Sequence, residues 1–163
     1  MKKLIATVST VLCATMLFCT TETVTAKDRD TYISVDARAA CVKYGTEYGI
    51  CPELLMAMIE AESSGRQYAT NGDCTGLLQV SARWHQDRME RLGVTDLFDV
   101  NGNVKVAADY LVELFEKYED VGIVLDVYNG NSKAMYNAEN GILSEYSNKI
   151  LTRSAELERL HGK

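Results

Sequence analysis

The sequence predicts a predominantly α-helical fold. Three observations carry this: apolar residues recur at three- and four-residue spacing along most of the chain, alternating strand patterns are nearly absent, and only one proline stands among 163 residues. With 47% hydrophobic and 25% charged residues, the composition is that of a globular domain, which excludes disordered, collagen-like and low-complexity readings. No internal repeat or Pro/Ser-rich linker divides it. A formal charge of -6 leaves no surplus of Lys and Arg to neutralise a phosphate backbone. Nucleic acid is therefore excluded as a partner, and a neutral or cationic ligand fits.

The elements follow in order. Met1-Lys2-Lys3 and the apolar run Leu4 to Phe18 read as a secretory signal, too short and too rich in Thr and Ser to span a bilayer comfortably. Val24-Thr25-Ala26 sets a cut before Lys27, so residues 1–26 are a signal peptide and the product is exported: secreted, periplasmic or associated with the cell wall. A lipid anchor at Cys19 is disfavoured by the bulky Phe18 before it. Residues 27–34 form a polar lead-in to one domain over residues 35–163. A first helix runs from Val35 to Tyr48, weakened or ended by Gly45 and Gly49; a second opens at Pro52, whose missing N–H costs nothing in a first turn, and ends near Ser64.

Asn71-Gly72-Asp73 is turn chemistry, and a small β-hairpin is expected near Asp73 to Gln79. The amphipathic stretch Arg83 to Leu92 follows. Asp96 to Asn103 reads as a loop ending in the capping residue Asn103, after which Val104, Ala107, Ala108, Leu111, Leu114 and Phe115 make a helical stripe. A shorter helix from Gly122 to Tyr128 stops at Asn129-Gly130-Asn131, and a last one runs from Tyr146 to Leu160.

The second helix carries the informative residue. Leu55, Met58 and Ile59 occupy i, i+3 and i+4 of an apolar stripe, and Glu62 takes its i+7 position. A carboxyl desolvated there holds its proton toward neutral pH, as a general acid requires. The alternative is a Glu62 that borders the stripe and is exposed. Glu60 points about 160° away by the helical repeat and is expected in solvent.

Cys41, Cys51 and Cys74 remain after the signal, and three pairings can be drawn. A Cys51–Cys74 disulfide is predicted, since it would tie the start of the Glu62 helix to the Gly76 segment, with Cys41 a buried thiol beside Ala37 and Tyr44. Two histidines without ligand spacing give no metal site, and nothing calls for a cofactor.

The pattern Tyr48-Gly49-Ile50-x-Pro52-Glu53-Leu54-Leu55-x-Ala57-x-Ile59-x-x-Glu62-Ser63-x-Gly65, followed by Gly76-Leu77-Leu78-Gln79-Val80, resembles the soluble lytic transglycosylase (SLT) domain, related to goose-type lysozyme. Asp96-Leu97-Phe98-Asp99, Asn103-Val104-x-x-Ala107-x-x-Tyr110-Leu111, Val127-Tyr128-Asn129 and Tyr146-Ser147-x-x-Ile150-Leu151 continue the likeness in the family's order, over roughly residues 35 to 152. The resemblance implies a lysozyme-like fold, Glu62 as the single acid/base with Ser63 helping to orient it, and a glycan groove lined by Gly76, Leu77, Gln79, Tyr128, Asn129 and Tyr146. Gly76 would let the polysaccharide approach the backbone, and Gln79 would offer donor and acceptor to an acetamido group. For the tyrosines, core packing is the alternative.

It implies a peptidoglycan lytic transglycosylase, a lyase that cuts the MurNAc-GlcNAc β-1,4 bond and leaves 1,6-anhydroMurNAc ends. Peptidoglycan glycan strands would be the partner, with a secretion or conjugation machine as a family-level role, and a monomer is expected. Two other functions compete: a goose-type muramidase using Asp73 as a second carboxylate, and a catalytically silent wall-binding scaffold. The sequence departs from the family at Val127, at Gly130-Asn131, at Ala107 and after Gln79, where Ser81 and Arg83-Trp84-His85 stand. Trp84 could stack on a sugar or fill the core, and His85 is expected on a helix surface.

Overall fold

The computed structural model describes residues 31–163, so the signal peptide expected over residues 1–26 and its expected cut site lie outside the described residues. The elements are α1 (Val35–Tyr48), α2 (Pro52–Ser63), β1 (Thr70–Asn71), β2 (Cys74–Thr75), β3 (Val80–Ser81), α3 (Ala82–Leu92), α4 (Val100–Lys117), α5 (Val121–Tyr128), α6 (Ala134–Glu139) and α7 (Glu145–Leu160). The predicted α class and the helices α1, α2, α5 and α7 are found within a residue or two of expectation. The expected hairpin is a three-stranded antiparallel sheet in the order β1-β2-β3, with Asn71 opposite Cys74 and Thr75 opposite Val80. No alternating run announces it, because each strand is two residues long.

α2 is the central helix. Leu54 to Ile59 are six consecutive apolar residues, each no more than 6% exposed, so the helix is covered on every side, chiefly by α7 and α1. This corrects the expectation for Glu60. Its carboxylate faces α7 rather than water, 9% exposed, accepting from Arg153 Nε at 2.7 Å and Nη2 at 3.1 Å and from the Thr31 hydroxyl at 2.5 Å. Thr31 and Ile33 are buried as well, and Ser34 caps α1 by accepting from the Ala37 amide at 3.1 Å, so the end of the polar lead-in packs onto the body.

Asn103 is likewise not a cap. α4 starts at Val100, where Asp99 accepts from the Gly102 amide at 2.6 Å. Asn103, 1% exposed, instead accepts from the Leu78 amide at 2.8 Å and donates to the carbonyls of Thr75 and Leu97, both at 2.9 Å. One amide thus pins the segment after β2 to α4. Gly76 lies against this crosslink at φ 81°, and a Cβ there would sit 2.3 Å from both Leu97 O and Asn103 Nδ2. The glycine is required by its own protein's close approach.

The Cys51–Cys74 bridge is not formed: all three cysteines in the described residues are free thiols. Cys51 precedes α2, whereas Cys74 shares a cavity with Glu62 at that helix's far end. Twelve helical residues rise about 18 Å, while a disulfide needs Cα atoms within about 7 Å. Cys51 Sγ lies 3.1 Å from Glu53 Oε2 and donates to it. Cys41 is fully buried as expected, and burial pushes its thiol up to about 12.

Asn103→Ala would leave the buried Leu78 amide and Leu97 carbonyl unbonded. We expect a loss of about 3 kcal/mol in urea unfolding, from three lost bonds and two stranded groups. A loss below about 1 kcal/mol would show that the segment is held by other contacts.

Candidate active site

Glu62 occupies the last turn of α2, where the apolar helix emerges into a cavity of about 490 Å³. Burial raises the pKa of its carboxyl, and the one bond it accepts, from the Tyr146 hydroxyl at the start of α7, opposes that rise without cancelling it. Burial outweighs this bond from a neutral phenol, so the carboxyl keeps a proton more readily than an ordinary glutamate. Tyr146 itself is pushed far above the usual phenol range by burial and by the carboxylate it faces.

The other wall of the cavity comes from the sheet and the end of α5. Arg66, Thr70, Asn71, Cys74 and Gln79 face Glu62 together with Tyr128 and Asn129. Tyr128 donates to the Leu78 carbonyl at 2.8 Å, and its phenol is pushed well up by burial and by Glu62. Gln79 sits at φ 47°, and its amide donates to Gly76 O at 2.8 Å and Ala69 O at 3.2 Å. Both donor hydrogens have protein partners, so the carbonyl oxygen is the part of Gln79 left for a ligand.

Cys74, Gln79 and Tyr128 also border a second cavity of about 570 Å³, which extends the groove toward α3 and α4. Trp84 stands on its rim, 76% exposed, with the Arg83 guanidinium 5.5 Å from its ring centre; core filling is thereby excluded. His85 is half-buried rather than on the surface, its ring 4.5 Å from that of Tyr110 and its Nδ1 accepting from Arg88 Nε at 3.4 Å. Burial and the nearby Arg88 lower its pKa, which favours the neutral ring.

Of the residues singled out in the sequence, the structure brings Glu62, Gln79, Tyr128 and Asn129 together at the groove, with Tyr146 bonded to Glu62 from α7. Others stand elsewhere. Ser63 is 1% exposed and donates to the Ile59 carbonyl at 3.1 Å, so it does not orient Glu62 directly. Leu77 is a core residue, 1% exposed, and Gly76 packs beneath the groove against Asn103. Asp73 lies outside the Glu62 cavity, in the exposed turn between β1 and β2, 3.7 Å from Arg83. Arg66, Thr70, Asn71 and Cys74 were not singled out as groove residues, because polar residues in a turn look alike in sequence whether they face a ligand or water. Among the described residues, no group of three His, Cys, Asp or Glu side chains could hold a metal ion.

Comparison with known proteins places the chain in a family. A transglycosylase from Enterobacteria phage PRD1 is 31% identical over 87 residues, covering 53% of this chain and 31% of the phage protein. An X-ray structure of an inactive mutant of the lytic transglycosylase Slt from Pseudomonas aeruginosa superposes with a TM-score of 0.64 at 16% identity, covering 75% of this chain and 24% of that one. The chain therefore spans about a third or less of the length of these two proteins, and the second likeness shows a shared fold. The transglycosylase SLT domain model matches residues 40–149, from the middle of α1 to the first turns of α7. The chain belongs to the transglycosylase SLT domain family.

Proposed function

We propose that the chain is an exported lytic transglycosylase that cuts the MurNAc-GlcNAc β-1,4 bond of peptidoglycan, with Glu62 as its acid and base. The observation that carries this reading is a desolvated carboxyl, bonded by a phenol, that lines the groove. A protonated Glu62 would deliver its proton to the glycosidic oxygen, and the 2-acetamido group of the substrate would take the part of the second carboxylate. The ionised Glu62 would then accept the proton of the muramic 6-hydroxyl as that oxygen closes on the anomeric carbon. The product is a 1,6-anhydro end.

Among the residues lining the Glu62 cavity, Glu62 is the only carboxyl, which favours substrate assistance over a two-carboxylate hydrolysis. Asp73, exposed and beside Arg83, is poorly placed to activate water at the same bond. The exposed face of Trp84 suits stacking on a sugar ring in the second half of the groove. Export rests on the residue 1–26 segment, and service to a secretion or conjugation machine is consistent with a small domain of this family.

Glu62→Gln tests the reading. The folded-state pKa of Glu62 is raised, so its contribution to stability is full at low pH and is lost as pH rises through that pKa. At neutral pH the amide should therefore unfold no sooner than the wild type while abolishing cleavage of purified sacculi. Because Trp84 is the chain's single tryptophan, the inactive variant should still show a change in indole fluorescence on adding soluble glycan strands. Mass spectrometry of wild-type products should find ends lighter by one water than reducing muramic ends. Reducing ends as the main product would favour the muramidase, and glycan binding without any cleavage by the wild type would favour the wall-binding scaffold.

Tyr146→Phe removes a bond that favours ionised Glu62. The alkaline limb of the pH–activity profile should move upward while kcat falls roughly tenfold, about 1.4 kcal/mol of barrier. An unmoved alkaline limb would separate that limb from Glu62.

A further inference from the structure

Asp126 lies in the last turn of α5, 2% exposed, and takes no part in lining the Glu62 cavity. Its carboxylate collects donors from three segments. Ser144 Oγ and Ser147 Oγ reach Oδ1, the latter at 2.5 Å, while Asn131 Nδ2 and Asn137 Nδ2 reach Oδ2 at 3.0 and 3.1 Å. A buried polar cluster that serves only stability is readily replaced by apolar packing, yet here four neutral donors converge on one charge.

What they hold is the first turn of α7. Ser144 is its N-cap, accepting from the Ser147 amide at 3.0 Å, and Ser147 Oγ also lies 3.1 Å from the Gly122 carbonyl of α5. Tyr146 stands between these two serines. We infer that Asp126 is a positioning residue for the cleavage reaction: by fixing the first turn of α7 against α5, it sets the Tyr146 hydroxyl on Glu62. The same carboxylate holds Asn131, directly after the Asn129-Gly130 edge of the groove, and Tyr128 is two residues further along α5. Both phenols beside Glu62 are thereby registered to one anchor. Negative charge at the N-terminus of α7 is favourable, and the donors outweigh the desolvation of the carboxyl, whose pKa is lowered.

The catalytic consequence rests on the assignment of Glu62 above, so the deciding measurement does not depend on activity. The titration midpoint of the Glu62 side-chain carboxyl is followed by carbon-13 NMR in the wild type, Asp126→Asn, Ser147→Ala, Tyr146→Phe, and each of the first two combined with Tyr146→Phe. Asp126→Asn and Ser147→Ala should each move the Glu62 midpoint upward, toward that of Tyr146→Phe, and should add nothing when Tyr146→Phe is already present. A lowered melting temperature with an unmoved Glu62 midpoint, or a shift that adds to that of Tyr146→Phe, would overturn the inference. If Asp126→Asn does not fold, Ser147→Ala, which keeps the carboxylate, decides by the same two criteria. In sacculus digestion, the variants that fold should lose kcat with KM unchanged. Should Glu62→Gln retain cleavage, the proposed function would fall while the titration result would stand.

Discussion

The antiparallel seam between α2 and α7 is the contact on which the rest of the structure depends. Three glutamates run along α2, and each is met by the last helix or the residues after it: Glu62 by Tyr146, Glu60 by Arg153, and Glu53 by His161 and Lys163, both at 2.8 Å. The first of these contacts differs from the other two. Arg153 holds Glu60, and although burial disfavours the charge on Glu53, bonds from Lys163 and His161 overcome that and hold its carboxyl down to about 2. Glu62 receives a phenol. One helix thus carries glutamates fixed by cations and one left able to exchange a proton.

The opposite wall of the groove is held from behind. Asn103 fixes the backbone of residues 75 to 78 onto α4, Gly76 permits that approach, and Tyr128 bonds the Leu78 carbonyl from α5. Gln79 then follows in a left-handed conformation with its amide spent on two carbonyls. A wall satisfied internally in this way loses little conformational freedom when a sugar binds, which is how preorganisation contributes to affinity. Asp126 does for α7 what Asn103 does for this wall.

Much of this was legible in the sequence, and the failures share a cause. Glu62 at the i+7 position of Leu55 announced a carboxyl on a buried face, and the class and helix order followed from apolar spacing. For Glu60, distance from that stripe does not mean solvent. The unbroken apolar run Leu54 to Ile59 already implied a helix covered on all sides. The local turn preference of Asn103 does not reveal its role, because two of its three partners lie 25 and 28 residues away. Cys51 and Cys74 each adjoin a functional motif, but motifs at opposite ends of a helix are separated by its length, which forbids the disulfide. α6, with six residues, is too short to show a period.

The central claim is that burial against α7, opposed only by a bond from a phenol, raises the pKa of Glu62 above that of an ordinary glutamate. A carbon-13 NMR titration of the Glu62 carboxyl in the wild-type protein tests it most directly. The account predicts a midpoint above the ordinary glutamate value of about 4.3; a midpoint at or below that value would contradict it.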